Sequence, residues 1–285
     1  MSRPLRVEYP GALYHVISRG NAYQNIYLDD SDRIKFLEWL TNSVKLYNLI
    51  IHAYCLMDNH YHLLIETVDA NLSKAMRDIN GNYTQWFNAR HTSVGHLFQG
   101  RYKAFVLEKE TYLLEVARYI VLNPVRARLV DHPRDYQWSS YKFTGESKNS
   151  PELLHTGWIL NFFDKEQTTA KRKYRKFIAD GFDCHDPHDK VKNGFLLGSP
   201  QFISWIWELQ TNGSEIIKEH PREQRIVGRP TLEELFKDVK TKRQRDDLIK
   251  LARFRCGYLT TEIAKHIELD RSVVGKISRK TDTCP

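Results

Sequence analysis

The stretch MDNHYHLLIE, residues 57–66, places two histidines on either side of a tyrosine and then continues into apolar residues. The apolar residues that follow are typical of a β-strand, in which successive side chains point to opposite faces. His60 and His62 therefore share one face, while Tyr61 points to the other. Two imidazoles at this spacing can converge on one metal ion. A hydrogen-bonded histidine pair at a sheet surface is the alternative, and the stretch by itself leaves both interpretations open.

Composition indicates a folded, globular protein. Of the 285 residues, 41% are apolar and 27% are charged, which is an ordinary balance for a packed core, and the length allows two or more structural units. No run is long enough to span a membrane, and the first residues, MSRPLRVEYPG, lack the apolar core of a signal peptide. Cys55, Cys184, Cys256 and Cys284 are far apart. This argues against a disulfide framework or a cysteine zinc site and favours a reducing cytosol.

The order of predicted elements in residues 1–145 is β-α-β-β-α-β, followed by one more helix. Alternating residues predict strands, and apolar residues at three- and four-residue spacing predict helices. The strands are predicted at 12–21, 49–57, 60–66 and 100–108, and the helices at 31–47, 71–90 and 109–123, the last of them ended by Pro124. This is the order of a ferredoxin-like or RRM-like fold. We therefore predict an α+β domain, an antiparallel sheet with helices on one face.

The rest of the chain is predicted to be an all-α extension. Residues 146–221 have the pattern of a helical extension or linker, and residues 222–285 that of a separate basic domain. Its three short helices are predicted near 244–255, 260–267 and 271–280. Residues 222–280 contain 16 Lys/Arg against nine Asp/Glu, a concentration of positive charge typical of polyanion binders. A helix-turn-helix that binds duplex DNA through Arg271, Lys276 and Arg279 is one interpretation, and a plain three-helix bundle is the other.

The helix at 109–123 suggests what the histidines do. Tyr119 and Asn123 are four residues apart and are therefore neighbours on the helix surface. Two histidines and an amide oxygen can hold a divalent ion, and a phenol beside that ion can attack a phosphorus centre. Attack on a DNA phosphodiester gives a phosphotyrosine and a free 3′-hydroxyl, and the reverse attack rejoins strands without ATP. Tyr112 lies two turns earlier, too far from an ion held by Asn123, so we predict Tyr119 as the nucleophile.

Five motifs occur in order and carry a resemblance to a known family: GALYHVISRGN, MDNHYHLLIE, GHLFQGRYKAF, RYIVLNPVRA and YQWSSY. Over residues 9–145 the chain resembles the REP-associated tyrosine transposases, which belong to the HUH single-tyrosine, IS200-like transposases. The resemblance implies an HUH endonuclease core that holds Mg²⁺ or Mn²⁺ through His60, His62 and Asn123, with Tyr119 as the nucleophile. It also implies cutting and joining of single-stranded DNA beside imperfect palindromic hairpins, the chemistry of DNA transposition and recombination.

Four polar residues inside these motifs are candidate DNA contacts: Arg19, Asn21, Arg101 and Lys103. Ordinary surface charge is the alternative for each of them. With the resemblance, we expect a cytoplasmic, nucleoid-associated bacterial protein without a membrane partner, either monomer or homodimer. The resemblance does not cover the chain after residue 145, so the role of the C-terminal helices rests on their own pattern.

Two other functions stay open. In the first, the protein is a non-catalytic regulator whose sheet grips a hairpin while the C-terminal helices bind duplex DNA. In the second, it is a metal phosphodiesterase acting on RNA, where attack by the 2′-hydroxyl of the substrate would make Tyr119 unnecessary. Because all four residue types of the predicted active site are present, we favour a metal-dependent single-strand DNA endonuclease and strand transferase.

Overall fold

The computed structural model describes residues 7–147, 149–182, 184, 186–192, 194–212, 230–239, 241–256 and 258–279. The chain divides into two compact units. The sheet unit comprises Glu8–Val191 with Phe195–Leu197, and the C-terminal unit comprises Met1–Val7, Lys192–Gly194 and Gly198–Pro285. No helix within the described ranges is both long and apolar enough to cross a membrane.

The sheet unit is built on one five-stranded sheet. Its strands are β1 Ala12–Arg19, β2 Leu49–Leu56, β3 His60–Thr67, β4 Lys103–Leu107 and β5 Leu196–Leu197. They lie in the order β2-β3-β1-β4-β5. The first four strands pair antiparallel, and the short β5 pairs parallel with β4. The β2-β3-β1-β4 order with two crossover helices is that of a ferredoxin-like sheet, which confirms the predicted fold class.

Helices cover both faces of this sheet. The helices of the sheet unit are α1 Asp30–Tyr47, α2 Leu72–Arg90, α3 Lys109–Arg126, α4 Tyr141–Gly145, α5 Gly157–Phe163 and α6 Gln167–Ala179. On one face, Phe36 of α1 contacts Tyr61 of β3 and Tyr83 of α2, with ring centroids 4.8 and 5.3 Å apart. On the other face, Val116 of α3 packs in one core cluster with Leu64 of β3. The prediction that the helices lie on one face of the sheet is correct for α1 and α2, but α3 packs on the opposite face.

The predicted domain boundary after residue 145 does not coincide with the structural one. Apolar residues of α5 and α6 belong to the same buried cluster as the core of α3: Ile159, Leu160, Ala170, Tyr174 and Ile178. The sheet unit therefore extends to Val191. The physical reason is that α3 leaves an apolar side uncovered by the sheet, and α6 buries it.

Helix α3 also runs through Pro124, where the sequence predicted its end. A proline has no N–H to donate and removes one bond from the helix. Here the Asn123 side chain compensates, since its Nδ2 donates to the carbonyls of Tyr119 at 2.9 Å and Ile120 at 3.4 Å. The helix continues to Arg126, which adds a guanidinium beside the tyrosine.

The YQWSSY motif covers the open edge of β2. Leu56 N–H donates to the Trp138 carbonyl at 2.9 Å, and the Tyr136 hydroxyl donates to the Leu56 carbonyl at 2.7 Å. Cys55 and Ser139 form an antiparallel bridge. These bonds pair backbone polar groups at the open edge of β2, the strand before the histidine strand, and so hold β2 in the sheet.

The C-terminal unit contains the predicted basic helices. Its helices are α7 Pro200–Asn212, α8 Leu232–Phe236, α9 Lys242–Lys250, a π-helical turn Leu251–Arg255, α10 Thr260–His266 and α11 Arg271–Arg279. Ile249, Ile263 and Val274 meet in a small buried cluster. The positions of the three predicted helices are confirmed, while residues 222–229, 240, 257 and 280–285 of the predicted domain lie outside the described residues.

Gly20 provides a test of the loop that follows β1. A Cβ at this position would lie 2.0 Å from the Gln24 carbonyl oxygen, whereas a Cβ on Gly81 in α2 would meet nothing within 4 Å. We expect Gly20→Ala to destabilise the protein by about 1–3 kcal/mol and Gly81→Ala to stabilise it by roughly 0.5–1 kcal/mol. Urea unfolding followed by circular dichroism measures both. Equal stability of the two variants would contradict the close approach at Gly20.

Candidate active site and metal centre

One face of the sheet carries a row of histidines. The β1–β3 register pairs Arg19 with His60 and Ile17 with His62, so the side chains of these four residues point to the same face. His15, two residues before Ile17 on β1, shares that face. Its Nε2 lies 2.9 Å from His62 Nδ1, and both rings are buried. The predicted placement of His60 and His62 on one face is confirmed.

Helix α3 brings Tyr119 to this histidine face. The Tyr119 ring centroid lies 6.0 Å from those of both His62 and His15, in edge-on geometry. Arg126, two turns further along α3, places its guanidinium carbon 4.7 Å from the Tyr119 ring centroid. Tyr119 is partly buried against the core cluster of α3, as is Tyr112 of the same helix. The structure thus places Tyr119 against the histidines, as predicted.

Asp186 and His188 were not among the predicted site residues, because they come from the segment interpreted as an extension or linker. Asp186 and His188 flank Pro187 in a 3₁₀ turn, Pro187–Lys190. The His188 ring lies 5.1 Å from the Tyr119 ring and 4.5 Å from Phe105, between centroids. Its Nε2 lies 2.8 Å from His15 Nδ1, and its Nδ1 lies 2.7 Å from Asp186 Oδ1.

The only sequence signal for these contacts is a local one. Asp186 before Pro187 is typical of a capped turn, and its Oδ1 does accept the backbone N–H of His188 at 2.8 Å. The contact between His188 and His15 joins residues that are 173 positions apart in the chain. A contact between such distant segments leaves no pattern in the sequence. His15 itself lies in the quoted GALYHVISRGN motif, but the side of the sheet it faces depends on the strand register.

The site combines a protonated phenol with an ionised carboxylate. Burial raises the pKa of Tyr119 to about 12; the charge of Asp186 and its hydrogen bond with the Tyr119 hydroxyl add to this effect, and Arg126 opposes it. Burial raises the pKa of Asp186, but the hydrogen bonds from His188 and Tyr119 outweigh it and hold that pKa below its usual value. Tyr119 therefore keeps its hydroxyl hydrogen beside a carboxylate that is charged at neutral pH.

His15, His60 and His62 are neutral at neutral pH. Burial, together with a smaller effect of the Arg19 charge, lowers the pKa of His60 to about 4. Burial also lowers the pKa of His15 and His62 well below the ordinary value. A neutral imidazole is the form that ligates a metal ion.

The two predicted metal-binding histidines fit such an ion. His62 Nε2 is buried without a hydrogen-bond partner among the described residues, which is costly for a polar atom unless a ligand satisfies it. His60 Nδ1 lies 2.6 Å from Asn59 Oδ1 and donates to it, so His60 Nε2 is left as an acceptor. In the described part of the chain, no three His, Cys, Asp or Glu side chains group into a metal site by themselves. Further ligands would thus be an amide, water or phosphate oxygen.

Asn123 suits the role of an amide ligand in one respect. Its Nδ2 is engaged by the carbonyls of its own helix, so its Oδ1 is the atom that a metal ion would take. Amide oxygens are suitable ligands for Mg²⁺ and Mn²⁺. Ligation by Asn123 stays a prediction.

The candidate DNA contacts fall into two groups. Arg19 and Lys103 are exposed on the histidine face, since Ile17 pairs with both His62 and Lys103. Asn21 is exposed in the 3₁₀ turn Asn21–Tyr23, and Arg101 is exposed just before β4. Their DNA contacts stay a prediction.

In the C-terminal unit, Arg271 and Lys276 are exposed on α11. The backbone of Arg279 belongs to the same helix, but its side chain lies outside the described residues. The structure thus has two exposed cations on the helix predicted to bind duplex DNA, and that binding stays a prediction.

A ferredoxin-like sheet with a histidine pair and a helix-borne tyrosine is the arrangement that the sequence motifs predicted for an HUH-type core. Residues 9–123 match the model of the family described as "Transposase IS200 like", so this segment of the chain is similar to that family. His15, His60, His62, Tyr119 and Asn123 all lie within the matched residues. Asp186 and His188 lie beyond them.

Other comparisons add less. No curated protein matches the chain significantly. Among solved structures, the chain is similar to a REP-associated tyrosine transposase bound to a REP hairpin, with a TM-score of 0.44 and 16% sequence identity, over 54% of this chain and 92% of that one. At that score and identity, this likeness carries no argument about the chain.

The buried histidines predict an acid-sensitive fold in the metal-free protein. Their pKa values are lower in the folded state than the value of about 6.5 in the unfolded chain. Below pH 6.5 the unfolded state binds protons that the folded state excludes, so the free energy of unfolding falls by up to about 1.4 kcal/mol per pH unit for each histidine. Urea unfolding in chelator between pH 7.5 and 5.5 measures this slope.

Two variants test whether the buried histidines cause the pH dependence of the free energy of unfolding. His15→Phe removes one buried histidine and should flatten the dependence, whereas the exposed His96 serves as the control, and His96→Phe should leave it unchanged. An equally steep slope in His15→Phe and the wild type would contradict the assignment.

Proposed function

We propose that the protein is a metal-dependent endonuclease and strand transferase that cuts single-stranded DNA beside hairpins through a covalent 5′-phosphotyrosine at Tyr119. The observation that carries the proposal is the position of Tyr119, which lies against the histidine face with the ionised Asp186 beside it. The family match supports the reaction class, and the five sequence motifs support the hairpin substrate.

In the proposed reaction, Tyr119 Oη attacks the phosphorus of the scissile phosphodiester. The new O–P bond joins the DNA 5′-phosphate to the tyrosine, while the bond to the 3′ oxygen breaks. The Tyr119 proton passes to the neighbouring carboxylate of Asp186, and the leaving oxygen becomes a 3′-hydroxyl with a proton from water. The reverse attack by a 3′-hydroxyl restores the diester and returns the proton to Tyr119.

A Mg²⁺ or Mn²⁺ ion held by His60, His62 and the Asn123 amide oxygen would supply positive charge that polarises the scissile phosphate. The chain itself adds a second cation at the nucleophile. Arg126 Nη2 donates to the Cys184 carbonyl at 3.1 Å, while its Nη1 is buried without a hydrogen-bond partner in the described structure. That N–H is the donor that a phosphate oxygen would satisfy, and the guanidinium beside the ring stabilises the phenolate.

The C-terminal unit would bind duplex DNA through α11. Helix α11 buries Val274 and exposes Arg271 and Lys276, so one side packs on the unit's core and the other is basic. Asp270 Oδ1 accepts the backbone N–H of Ser272 at 2.7 Å and so satisfies one donor at the start of the helix. A stable helix that presents cations suits contacts with phosphates.

Covalent attack predicts a specific loss in Tyr119→Phe. The substitution removes only the hydroxyl, so the ring contacts with His62 and His188 remain and folding and DNA affinity should be preserved. Cleavage of a hairpin-bearing single strand and the covalent protein–DNA adduct should both disappear. Denaturing gels and mass spectrometry of the trapped adduct measure these outcomes.

Tyr112→Phe is the matched control, because Tyr112 is a partly buried tyrosine of the same helix and should be dispensable. An adduct that persists in Tyr119→Phe would overturn the assignment of the nucleophile. Hairpin binding without any cleavage in the wild type, with metal present, would favour the non-catalytic regulator.

Duplex binding by α11 predicts a change in salt dependence. Each phosphate that the protein neutralises contributes about −0.9 to the slope of log affinity against log salt concentration. The double variant Arg271→Ala/Lys276→Ala should bind duplex DNA more weakly, and its slope should be shallower by about 0.9 for each phosphate that is no longer neutralised. Fluorescence anisotropy at several salt concentrations measures the slope.

The control variant Lys242→Ala/Arg243→Ala removes two exposed cations of α9 and should change the salt slope less. Identical slopes in both variants would contradict a specific role for α11.

A further inference from the structure

Four side chains form one continuous hydrogen-bonded line across the site. Asp186 Oδ1 lies 2.7 Å from His188 Nδ1, His188 Nε2 lies 2.8 Å from His15 Nδ1, and His15 Nε2 lies 2.9 Å from His62 Nδ1. Each imidazole in the middle of the line therefore uses both of its nitrogens. The line ends at His62 Nε2, which is buried without a partner in the described structure.

The carboxylate at one end fixes the direction of every bond. An ionised carboxylate only accepts hydrogen bonds, so His188 carries its hydrogen on Nδ1. With a single ring hydrogen, His188 offers Nε2 as an acceptor, and His15 must donate to it from Nδ1. His15 in turn offers Nε2 as an acceptor, and His62 must donate to it from Nδ1.

This order of hydrogens leaves a lone pair on His62 Nε2. His15 and His62 are both buried, and burial disfavours the charged form of an imidazole, so neither ring carries a second hydrogen that would break the sequence. A lone pair is what a metal ligand needs. The opposite order would place a hydrogen on His62 Nε2, where it could neither bind a metal ion nor find an acceptor.

We propose that Asp186 and His188 are positioning residues that, through His15, fix the tautomer of His62 and direct its Nε2 lone pair to the divalent ion. The proposal rests on the proposed function, because it assumes that His62 ligates a metal. It assigns a role to a segment that lies beyond the residues matched by the transposase family. It also links the nucleophile to the metal ligand, because the charge of Asp186 acts on Tyr119 as well.

Ring-nitrogen chemical shifts in the metal-free wild type test the proposal directly. Long-range ¹H–¹⁵N spectra distinguish an imidazole with its hydrogen on Nδ1 from one with its hydrogen on Nε2, and loss of one spin system in His62→Gln assigns the resonance. The proposal requires the Nδ1–H form for His62, His15 and His188. A His62 resonance of the Nε2–H form would overturn it, whatever the variants do.

His188→Phe tests the consequence. Phenylalanine keeps a ring against Phe105 and Tyr119 but removes the acceptor for His15 Nδ1–H. The Nε2–H form of His62 should then appear, and Mn²⁺ affinity measured by calorimetry without DNA should fall about 10–100-fold, the usual effect of losing an outer-shell partner. Asp186→Ala should act in the same direction.

Asp189→Ala is the control, since Asp189 is an exposed carboxylate of the same 3₁₀ turn and should leave the tautomer and the affinity unchanged. Wild-type Mn²⁺ affinity in folded His188→Phe, with His62 still in the Nδ1–H form, would overturn the proposal. These readouts involve no DNA. Failure of the wild type to cleave DNA would count against the proposed function and not against this hydrogen-bonded line.

Discussion

The antiparallel pairing of β1 with β3 is the constraint on which the rest of the site depends. Its register sets Ile17 opposite His62 and Arg19 opposite His60, and it thereby puts His15 on the same face as the HYH histidines. A slip of one residue would turn the β1 side chains to the other face and separate His15 from His62. Because Tyr61 and its alternating neighbours are buried against α1 and α2, such a slip would also expose an apolar face, and this cost holds the register.

Helix α3 and the 3₁₀ turn at 187–190 then complete a site in which His15 and His62 are buried, while Asp186 stays partly exposed. Burying histidines is unfavourable unless their polar atoms are bonded. The line from Asp186 to His62 satisfies nearly all of these atoms, and the one nitrogen it leaves over is the one a metal ion would use. The arrangement therefore favours a protonated phenol at rest beside a carboxylate that can accept its proton.

The sequence predicted the parts of this site that local patterns determine. Period-two alternation placed His60 and His62 on one face, and helical spacing placed Tyr119 beside Asn123. It did not predict His188 or Asp186, because a contact between distant segments leaves no periodic signal. The sequence also predicted that α3 ends at Pro124. The Asn123 side chain compensates for the hydrogen bond that the proline removes, and this contact is visible only in three dimensions. The boundary at 145 differed for a related reason: α5 and α6 are amphipathic helices, and which core they join is decided by the apolar side of α3 that the sheet leaves open.

The most direct test of this account is a crystal of the metal-loaded Tyr119→Phe protein measured for anomalous scattering from Mn²⁺. The account predicts one strong anomalous peak in contact with Nε2 of both His60 and His62, on the side of the histidine face that the residue 119 ring covers. A peak elsewhere in the sheet unit, or a well-ordered histidine pair without any peak at saturating Mn²⁺, would contradict the central claim that the strand register builds a metal site beneath the nucleophile.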